Sequence, residues 1–448
     1  MSISTERTVA EPDRLVETLV SLAKRRGFIF QSSEIYGGVA AIYDFGPLGV
    51  ALRRNIRDLW WRHTVNLRHD VVGLESSVIM HPRTWEASGH VQNFTDPLVE
   101  CKKCHSRYRA DKLEGPCPNC GSTEFSEPRQ FNLMFKTYLG PVEESAAQTY
   151  LRPETAQGMF VQFSNIVNST RRKIPFGIAQ VGKSFRNEIT TEHFIFRLRE
   201  FEQLELEFFV KPGTDLDWLE QWREARMSWW TDVLGVRPGK VRARLLDADE
   251  LSHYSARGYE VEYDFPWGWG ELEGIQDRTD YDLKRHSEFS GKDLSYFEDE
   301  TKERYIPYVI EPSMGLERAM FTLMLEAYDE EEVRGEKRVV LRFHPNVAPI
   351  QVAVLPLSKN EQLLPASREV EELLRPHFRI EYDETQSIGR RYRRHDEIGT
   401  PFAVTIDFES LEDRAVTIRE RDSMEQVRVG IAELVPALSE KLSAAGGG

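Results

Sequence analysis

The sequence predicts an α+β protein: an antiparallel sheet flanked by helices, a small four-cysteine insertion, and a second, smaller α/β domain at the C-terminal end. Three observations carry this. Strand-like runs bunch along the middle of the chain (RQFNLMFKTY, QTYLRPE, IPFGIAQVGKSFRNE, FIFRLREFEQLELEFFV, ERYIPYVIEPS) while helical stretches stand apart from them. No GxGxxG follows a strand, and the one GxxxxGKS match, GIAQVGKS (Gly177–Ser184), lies inside a strand-like run, so neither a doubly wound dinucleotide fold nor a phosphate-binding loop is indicated. The pattern then changes near Arg342-Phe343-His344-Pro345, beyond which short strands and helices alternate.

Taken in order, Asp13 to Arg26 reads as an amphipathic helix. Leu15, Val16, Leu19, Val20 and Leu22 form its apolar side, Lys24-Arg25-Arg26 complement the C-terminal dipole, and Gly27 ends it. A second helix starts near Pro47, with Leu48, Leu52, Ile56, Leu59 and Trp60 in one stripe. Core packing and a subunit interface both suit that stripe, and periodicity does not separate them. Residues 100–126 form the cysteine insertion, and helices are expected over 155–164 and 216–234. Beyond Ala348 come strand IQVAVLPL, helix Glu361–Leu374, strands FRIEYDE, FAVTIDF, AVTIRER and QVRVG, and a helix from Ala432. The expected division is 1–345, with insertions at about 90–150 and 210–265, then an α/β domain over 346–441 and a disordered tail over 442–448.

The chain has 448 residues, 40% hydrophobic and 29% charged, so a sizeable core is affordable. No window reaches the roughly 18 apolar residues a membrane span needs. The N-terminal MSISTERTVAEPDR lacks a charged-then-apolar signal pattern, and a cytoplasmic protein is expected. A net charge of −15 argues against a general nucleic-acid coat. It leaves room for a local basic patch, and GRRYRRH (Gly389–His395) is the densest one. A nucleic-acid contact and a solvated helix face both fit it.

All four cysteines fall in CKKCHSRYRADKLEGPCPNC. Cys101/Cys104 and Cys117/Cys120 are two CxxC pairs separated by twelve residues. Each pair lets two thiolates grip one tetrahedral metal, and Gly115, Pro116, Pro118 and Gly121 suit tight knuckles, so the spacing points to structural zinc. The gap is slightly shorter than usual for a zinc ribbon. Reduced structural thiols are the other reading.

The stretch FRNEITTEHFIFRLREFEQLELEFF (Phe185–Phe209) reads as a hairpin around ITTEH. Period-two alternation places Arg186 and Glu188 on one face of the first strand, and Arg197, Arg199, Phe201, Gln203 and Glu205 on one face of the second. Phe196, Leu198, Leu204, Leu206 and Phe208 point to the other side, with Glu200 and Glu202 among them. A face carrying guanidinium, aromatic and carboxylate groups suits phosphate, base and amine; cross-strand ion pairs on a surface sheet are the alternative. In PYVIEPSMGLERAMFTLML, a strand is expected to end at Glu311, with Pro312 breaking it and a helix starting at Ser313–Gly315. Met320, Phe321, Met324 and Leu325 then face the core. Arg318 sits in the first turn, where a cation opposes the helix dipole unless an anion docks there or a carboxylate pairs with it.

These stretches resemble, in order, the three motifs of class II aminoacyl-tRNA synthetases: GPLG (Gly46–Gly49) with its helix, FRNE with REFEQLE, and EPSMGLER. More narrowly, YGG (Tyr36–Gly38), WEASGH (Trp85–His90), RYRADK (Arg107–Lys112), LRPETAQG (Leu151–Gly158), GKSFRNEIT, ELEGIQDRTDYDL and EPSMGLER are similar to the dimeric glycyl-tRNA synthetases. The resemblance spans about residues 13–440. It implies a class II catalytic domain, a C-terminal anticodon-binding domain and a homodimer. It implies that glycine and ATP form glycyl-adenylate, and that glycine then moves to tRNA(Gly).

The resemblance also implies residue roles. Arg186 would hold the α-phosphate and Arg318 the γ-phosphate, both acting catalytically. Glu188 and Phe201 would contact adenine, with Asn187, Phe196, Arg197, Leu198, Arg199 and Glu200 along the ATP. Leu272, Gly315, Leu316 and Glu317 would complete that site, and Glu271 would help hold Mg²⁺. Glycine would sit among Glu154, Glu205, Glu311 and Ser313, with Arg109 nearby. Phe201, Glu202, Gln203, Leu204, Pro312, Met314 and Gly315 would complete its surroundings. Two other readings compare: a catalytically dead, nucleic-acid-binding relative, and a synthetase for another small amino acid. The joint presence of Arg186, Glu188, Phe201 and Arg318 weighs against the first, and the acidic pocket against the second.

Overall fold

The computed structural model describes residues 11–141, 147–189 and 193–446. Its centre is a seven-stranded sheet. In chain order the strands are β1 (Val71–Gly73), β2 (Phe176–Phe185), β3 (Glu200–Val210), β4 (Val241–Leu245), β5 (Arg257–Phe265), β6 (Gly268–Thr279) and β7 (Tyr308–Gly315). They lie side by side as β4-β5-β6-β7-β3-β2-β1. Only the β1–β2 pair is parallel; every other pair in this sheet is antiparallel, as the bunched strands predict.

Alternation along β3 divides the sheet into two faces. Leu204, Leu206 and Phe208 enter a core shared with the helices Pro47–Trp61, Asp215–Ser228 and Leu316–Ala327. Phe209 enters a second core beneath the helices Ala156–Val161 and Tyr281–Ser290. The candidate site opens on this second face.

The Pro47–Trp61 helix buries Leu52, Ile56 and Trp60, as its stripe predicts, and Pro occupies its first turn. Gly49 permits a close approach: a Cβ there would meet Phe28 O at 1.9 Å. Arg53 of the same helix reaches Glu202 and Glu317, both at 2.8 Å, and Arg57 reaches Glu202 at 3.1 Å. The helix is thereby tied to both β3 and the start of the Leu316–Ala327 helix.

Four expectations are corrected. β2 ends at Phe185 and β3 begins at Glu200, so Arg186, Glu188, Arg197 and Arg199 leave the connecting turns rather than a shared strand face. The main chain there leaves the ladder after one last cross-bond from Arg186 N to Arg199 O: Asn187 N donates to Leu133 O, Glu188 N to Arg186 O, and Phe196 N to His193 O. β7 runs through Pro312 to Gly315, because β3 and β6 hold it on either side, and the helix starts only at Leu316. RQFNLMFKTY forms two short strands, Arg129–Asn132 and Lys136–Tyr138. The last helix, Leu434–Gly446, extends through the expected tail as far as residue 446, anchored by Leu434, Leu438 and Leu442 in the C-terminal core. Residues 447–448, like Glu192 in the ITTEH turn, lie outside the described residues.

The C-terminal part holds a five-stranded sheet in the order Ile380–Tyr382, Val352–Pro356, Phe402–Ile406, Ala415–Glu420, Gln426–Gly430. The basic cluster lies on the helix Ile388–Ile398. Arg391 is not on its solvated side. It is fully buried and donates to Pro356 O at 2.5 Å, Asp383 O at 2.9 Å and Leu357 O at 3.1 Å. Asp396 of the same helix receives Arg338 at 2.8 Å, from the hairpin that follows the Leu316–Ala327 helix, and Arg419 at 2.9 Å. Arg421 donates to Leu341 O, Phe343 O and Gly399 O, so buried guanidinium groups join the two parts of the chain. No described helix is long and apolar enough to cross a membrane.

Candidate active site

A cavity of about 330 Å³ opens on the β3-β7-β6 region of the sheet. Period two accounts for its floor. Phe201, Gln203 and Glu205 alternate along β3, Glu311, Ser313 and Gly315 along β7, and Gly274 and Gln276 along β6, with Glu271 and Leu272 entering where the pairing of β6 with β5 slips by one residue. Antiparallel register sets Glu205 opposite Ser313 and Gln203 opposite Gly315. The turn before β3 supplies a wall of Arg186, Glu188, Phe196, Arg197 and Leu198, and the Leu316–Ala327 helix adds Glu317 and Arg318.

One end is cationic. The Arg186 guanidinium lies 5.3 Å from the centre of the Phe201 ring and donates to Pro153 O at 3.0 Å. Arg197 stands 3.7 Å from Glu188. Arg318 donates to Phe196 O at 3.1 Å and to the Glu271 carboxylate at 2.8 Å, and its guanidinium covers the Phe196 ring at 4.5 Å. The Arg318 charge holds Glu271 below the usual carboxylate range, with Arg186 and Arg197 helping.

The other end is acidic. Glu205 accepts from the Thr155 hydroxyl, from Ser313 Oγ at 2.7 Å and from Gln203 Nε2 at 3.3 Å. Glu154 meets His90 Nε2 at 3.2 Å and Gln157 Nε2 at 2.9 Å. Burial, the largest influence, pushes Glu154 up, but His90 and Arg278 bring it well below the ordinary range. Glu311 accepts from Arg278 at 2.9 Å, and Arg278 also donates to Asp282 at 2.7 and 2.9 Å. The same guanidinium lies 3.7 Å from the centre of the Tyr254 ring. Carboxylates thus converge without mutual expulsion because Arg278 sits among them.

Several expected residues stand elsewhere. Arg109 lies outside the cavity lining, paired with Asp96 at 3.0 Å and Asp111 at 2.7 Å. Glu202 faces Arg53 and Arg57, Glu200 pairs with Lys183 at 2.8 Å, and Arg199 donates to Glu188 O and Ala40 O. Leu204 and Leu316 are core residues. Asn187 and Pro312 do not line the cavity; Met314 does, and its sulfur accepts from Arg226 at 3.5 Å. Sequence reasoning missed Arg278, Asp282, Gln157, His90 and Thr155. Arg278 was hard to place from alternation, because the pairing of β6 slips by one residue on either side of Gly274–Asp277.

Away from this site, the four cysteines lie together, their sulfur atoms all within 4.8 Å of one another, in a cluster that could hold a metal. Cys101 and Cys120 are 3.6 Å apart, as are Cys104 and Cys117.

Two family models match the chain: the tRNA synthetase class II core domain (G, H, P, S and T) over residues 135–328, and an anticodon binding domain over 351–441. Fold and models together define a class II aminoacyl-tRNA synthetase. A prolyl-tRNA synthetase from Cryptosporidium parvum, solved with L-proline and AMP, shares the fold with a TM-score of 0.66 at 16% identity, over 98% of this chain and 80% of that one. The glycine–tRNA ligase of Treponema denticola is 52% identical over 95% of this chain and 97% of its own. That of Thermobifida fusca is 52% identical over 97% and 100%. The chain belongs to the glycine–tRNA ligase family.

Next to Arg278, Asp277 is buried, and burial pushes its carboxyl from 3.8 up to about 6. The folded state therefore binds the extra proton, and stability falls as pH rises through about 4 to 6. Asp277→Asn removes this slope and should raise stability above pH 6 by on the order of 1–2 kcal/mol, read from urea unfolding across pH. An unchanged pH slope would refute the assignment.

Proposed function

We infer that this protein activates glycine with ATP to glycyl-adenylate, releasing pyrophosphate, and then passes the glycyl group to the 3′-terminal ribose of tRNA(Gly). One observation carries the glycine assignment: Glu154, Glu205, Glu311 and the Ser313 hydroxyl close one end of a cavity whose other end holds Arg186 and Arg318. The acidic end suits an ammonium group, and the cationic end suits a polyphosphate.

In this reading Arg186 holds the α-phosphate and stabilises the charge that builds as the glycine carboxylate attacks. Phe201 stacks on adenine, Glu188 accepts from its amino group, and Arg197 lies along the phosphates. Arg318 exchanges Glu271 for the γ-phosphate. Mg²⁺ accompanies ATP; Glu271 and Glu260, both facing the cavity, are the oxygen donors a hard cation prefers, and the ion supplies charge neutralisation. No side chain need remove a proton in the first step, because the attacking carboxylate is already ionised; positioning suffices. A methylene ordinarily gives only about 1–3 kcal/mol of discrimination, but rigid, buried walls can exclude every larger amino acid by overlap.

Three further parts complete the proposal. The two Sγ separations of 3.6 Å suit tetrahedral zinc, whose roughly 2.3 Å bonds put thiolates about 3.8 Å apart. Such a closed site would be structural, holding the insertion together. A homodimer would cover exposed apolar side chains such as Ile35 (88% exposed) and Tyr36 (87%), and Val50 (44%) on the Pro47–Trp61 helix. The tRNA would reach the cleft lined by Arg26, Arg334, Arg390, Arg393, Arg394 and Arg419.

ATP–pyrophosphate exchange tests the activity: glycine should drive it, and equal exchange with alanine or serine would sink the specificity. Arg318→Ala should lower exchange by at least about 100-fold with the circular dichroism spectrum unchanged. Near-normal exchange would refute the clamp. Replacing Arg390 and Arg393 together by alanine should raise the KM for tRNA about tenfold and leave exchange intact. Unchanged charging would make them a solvated face. A native mass spectrum should show two chains carrying two zinc ions, and a zinc-free or monomeric species at micromolar concentration would overturn the corresponding part.

A further inference from the structure

Glu207 lies one alternation beyond Glu205 on the same face of β3, at the base of the acidic end. It is fully buried, and neither carboxylate oxygen has a hydrogen-bond donor. On β2 its register partner is Ile178, which offers no polar side chain. On β7 the pairs Glu205–Ser313 and Phe208–Ile310 bracket it, so the same register sets Glu207 across from Glu311. Oxygens of Glu205, Glu207 and Glu311 approach within 4.8 Å of one another.

Three carboxylates facing one another, one of them fully buried and without a donor, require a proton or a cation between them. Directly opposed like charges in a sheet are destabilising, and an unpaired buried carboxylate neutralises itself rather than remain ionised. The neighbours decide where the proton resides. Glu205 has three donors, and Glu311 has Arg278 at 2.9 Å. Asp282 is held twice by Arg278, and Glu154 by His90 and Gln157. Only Glu207 lacks a donor in this group. Burial pushes both Glu311 and Glu207 up and the Arg278 charge lowers both, but only Glu311 receives its hydrogen bond, which leaves the proton to Glu207.

We propose that Glu207 is a positioning residue for amino-acid binding: as the neutral acid, it donates its O–H to the Glu205–Glu311 pair and holds those carboxylates for the substrate's ammonium group. The proposal rests on the glycine-activating function inferred above. It assigns a buried acid outside the cavity lining a part in substrate affinity. With the proton in place, the layer beneath the ammonium carries one negative charge fewer than its count of carboxyl groups suggests.

Two measurements test it. Infrared difference spectra of wild type against Glu207→Gln at neutral pH should show the carbonyl stretch of a protonated carboxylic acid, lost in the variant. In exchange kinetics, Glu207→Gln keeps a neutral donor and should hold the KM for glycine within about threefold of wild type. Glu207→Leu should raise it about tenfold, with the KM for ATP within about twofold. A merely structural role would lower the melting temperature without splitting the two KM values. Absence of the carbonyl band, or an unchanged glycine KM in a folded Glu207→Leu, would overturn the proposal. So would a stoichiometric metal ion in dialysed wild type that Glu207→Gln loses. Wild type that fails to exchange with glycine would instead sink the glycine reading, and the infrared band would still decide where the proton is.

Discussion

The buried guanidinium of Arg278 is the interaction on which the acidic half of the site depends. Taking ions out of water costs several kcal/mol each unless partners and hydrogen bonds offset it. Arg278 meets Asp282 twice and Glu311 once, lies over Tyr254, and stands 3.8 Å from Glu154. Without that cation, the carboxylates lining the pocket would be driven to protonate or to swing apart. With it, Glu154 and Glu311 have a cation beside them and stay aimed at the cavity, while no donor reaches Glu207. Gln157 extends the arrangement by donating to both Glu154 and Asp282 while its own oxygen meets His286 at 2.7 Å.

A second tie joins the cationic half to the rest of the core. Arg53, which lies outside the cavity lining, pairs with Glu202 on the hidden face of β3 and with Glu317 beside Arg318. Glu317 also accepts from Glu202 N at 3.0 Å. The strand that carries Phe201 and the helix that carries Arg318 are therefore fixed to each other from behind. That leaves Arg318 itself bound only to groups that an anion could replace.

Much of this was legible in the sequence wherever one local period governed. The Pro47 helix, strands β2 and β3, and the alternating C-terminal elements follow from apolar spacing alone. Phe201, Gln203 and Glu205 share a face because nothing interrupts period two between them. Periodicity failed where tertiary context overrode it. Arg197 and Arg199 obey the alternation on paper, but the chain there turns rather than extends. Pro312 is a strand breaker by its missing N–H, yet neighbours on both sides carry β7 through it. Arg391 reads as one of a row of surface arginines, and only the folded chain brings three backbone carbonyls to its side chain. Glu207 reads as one more charge in a charged strand, because a sequence records neither exposure nor the lack of a donor.

The buried contacts around Asp396 bear on how the molecule comes apart. Arg338 belongs to the hairpin after the Leu316–Ala327 helix, Asp396 to the helix carrying the basic cluster, and Arg421 caps carbonyls on both sides. Separating the two halves would break the Arg338–Asp396 pair and the Arg421 bonds to Leu341 O and Phe343 O at once. The halves should consequently melt together as one cooperative unit. A transplant of the C-terminal part onto a foreign core would need to carry the complementary hairpin with it.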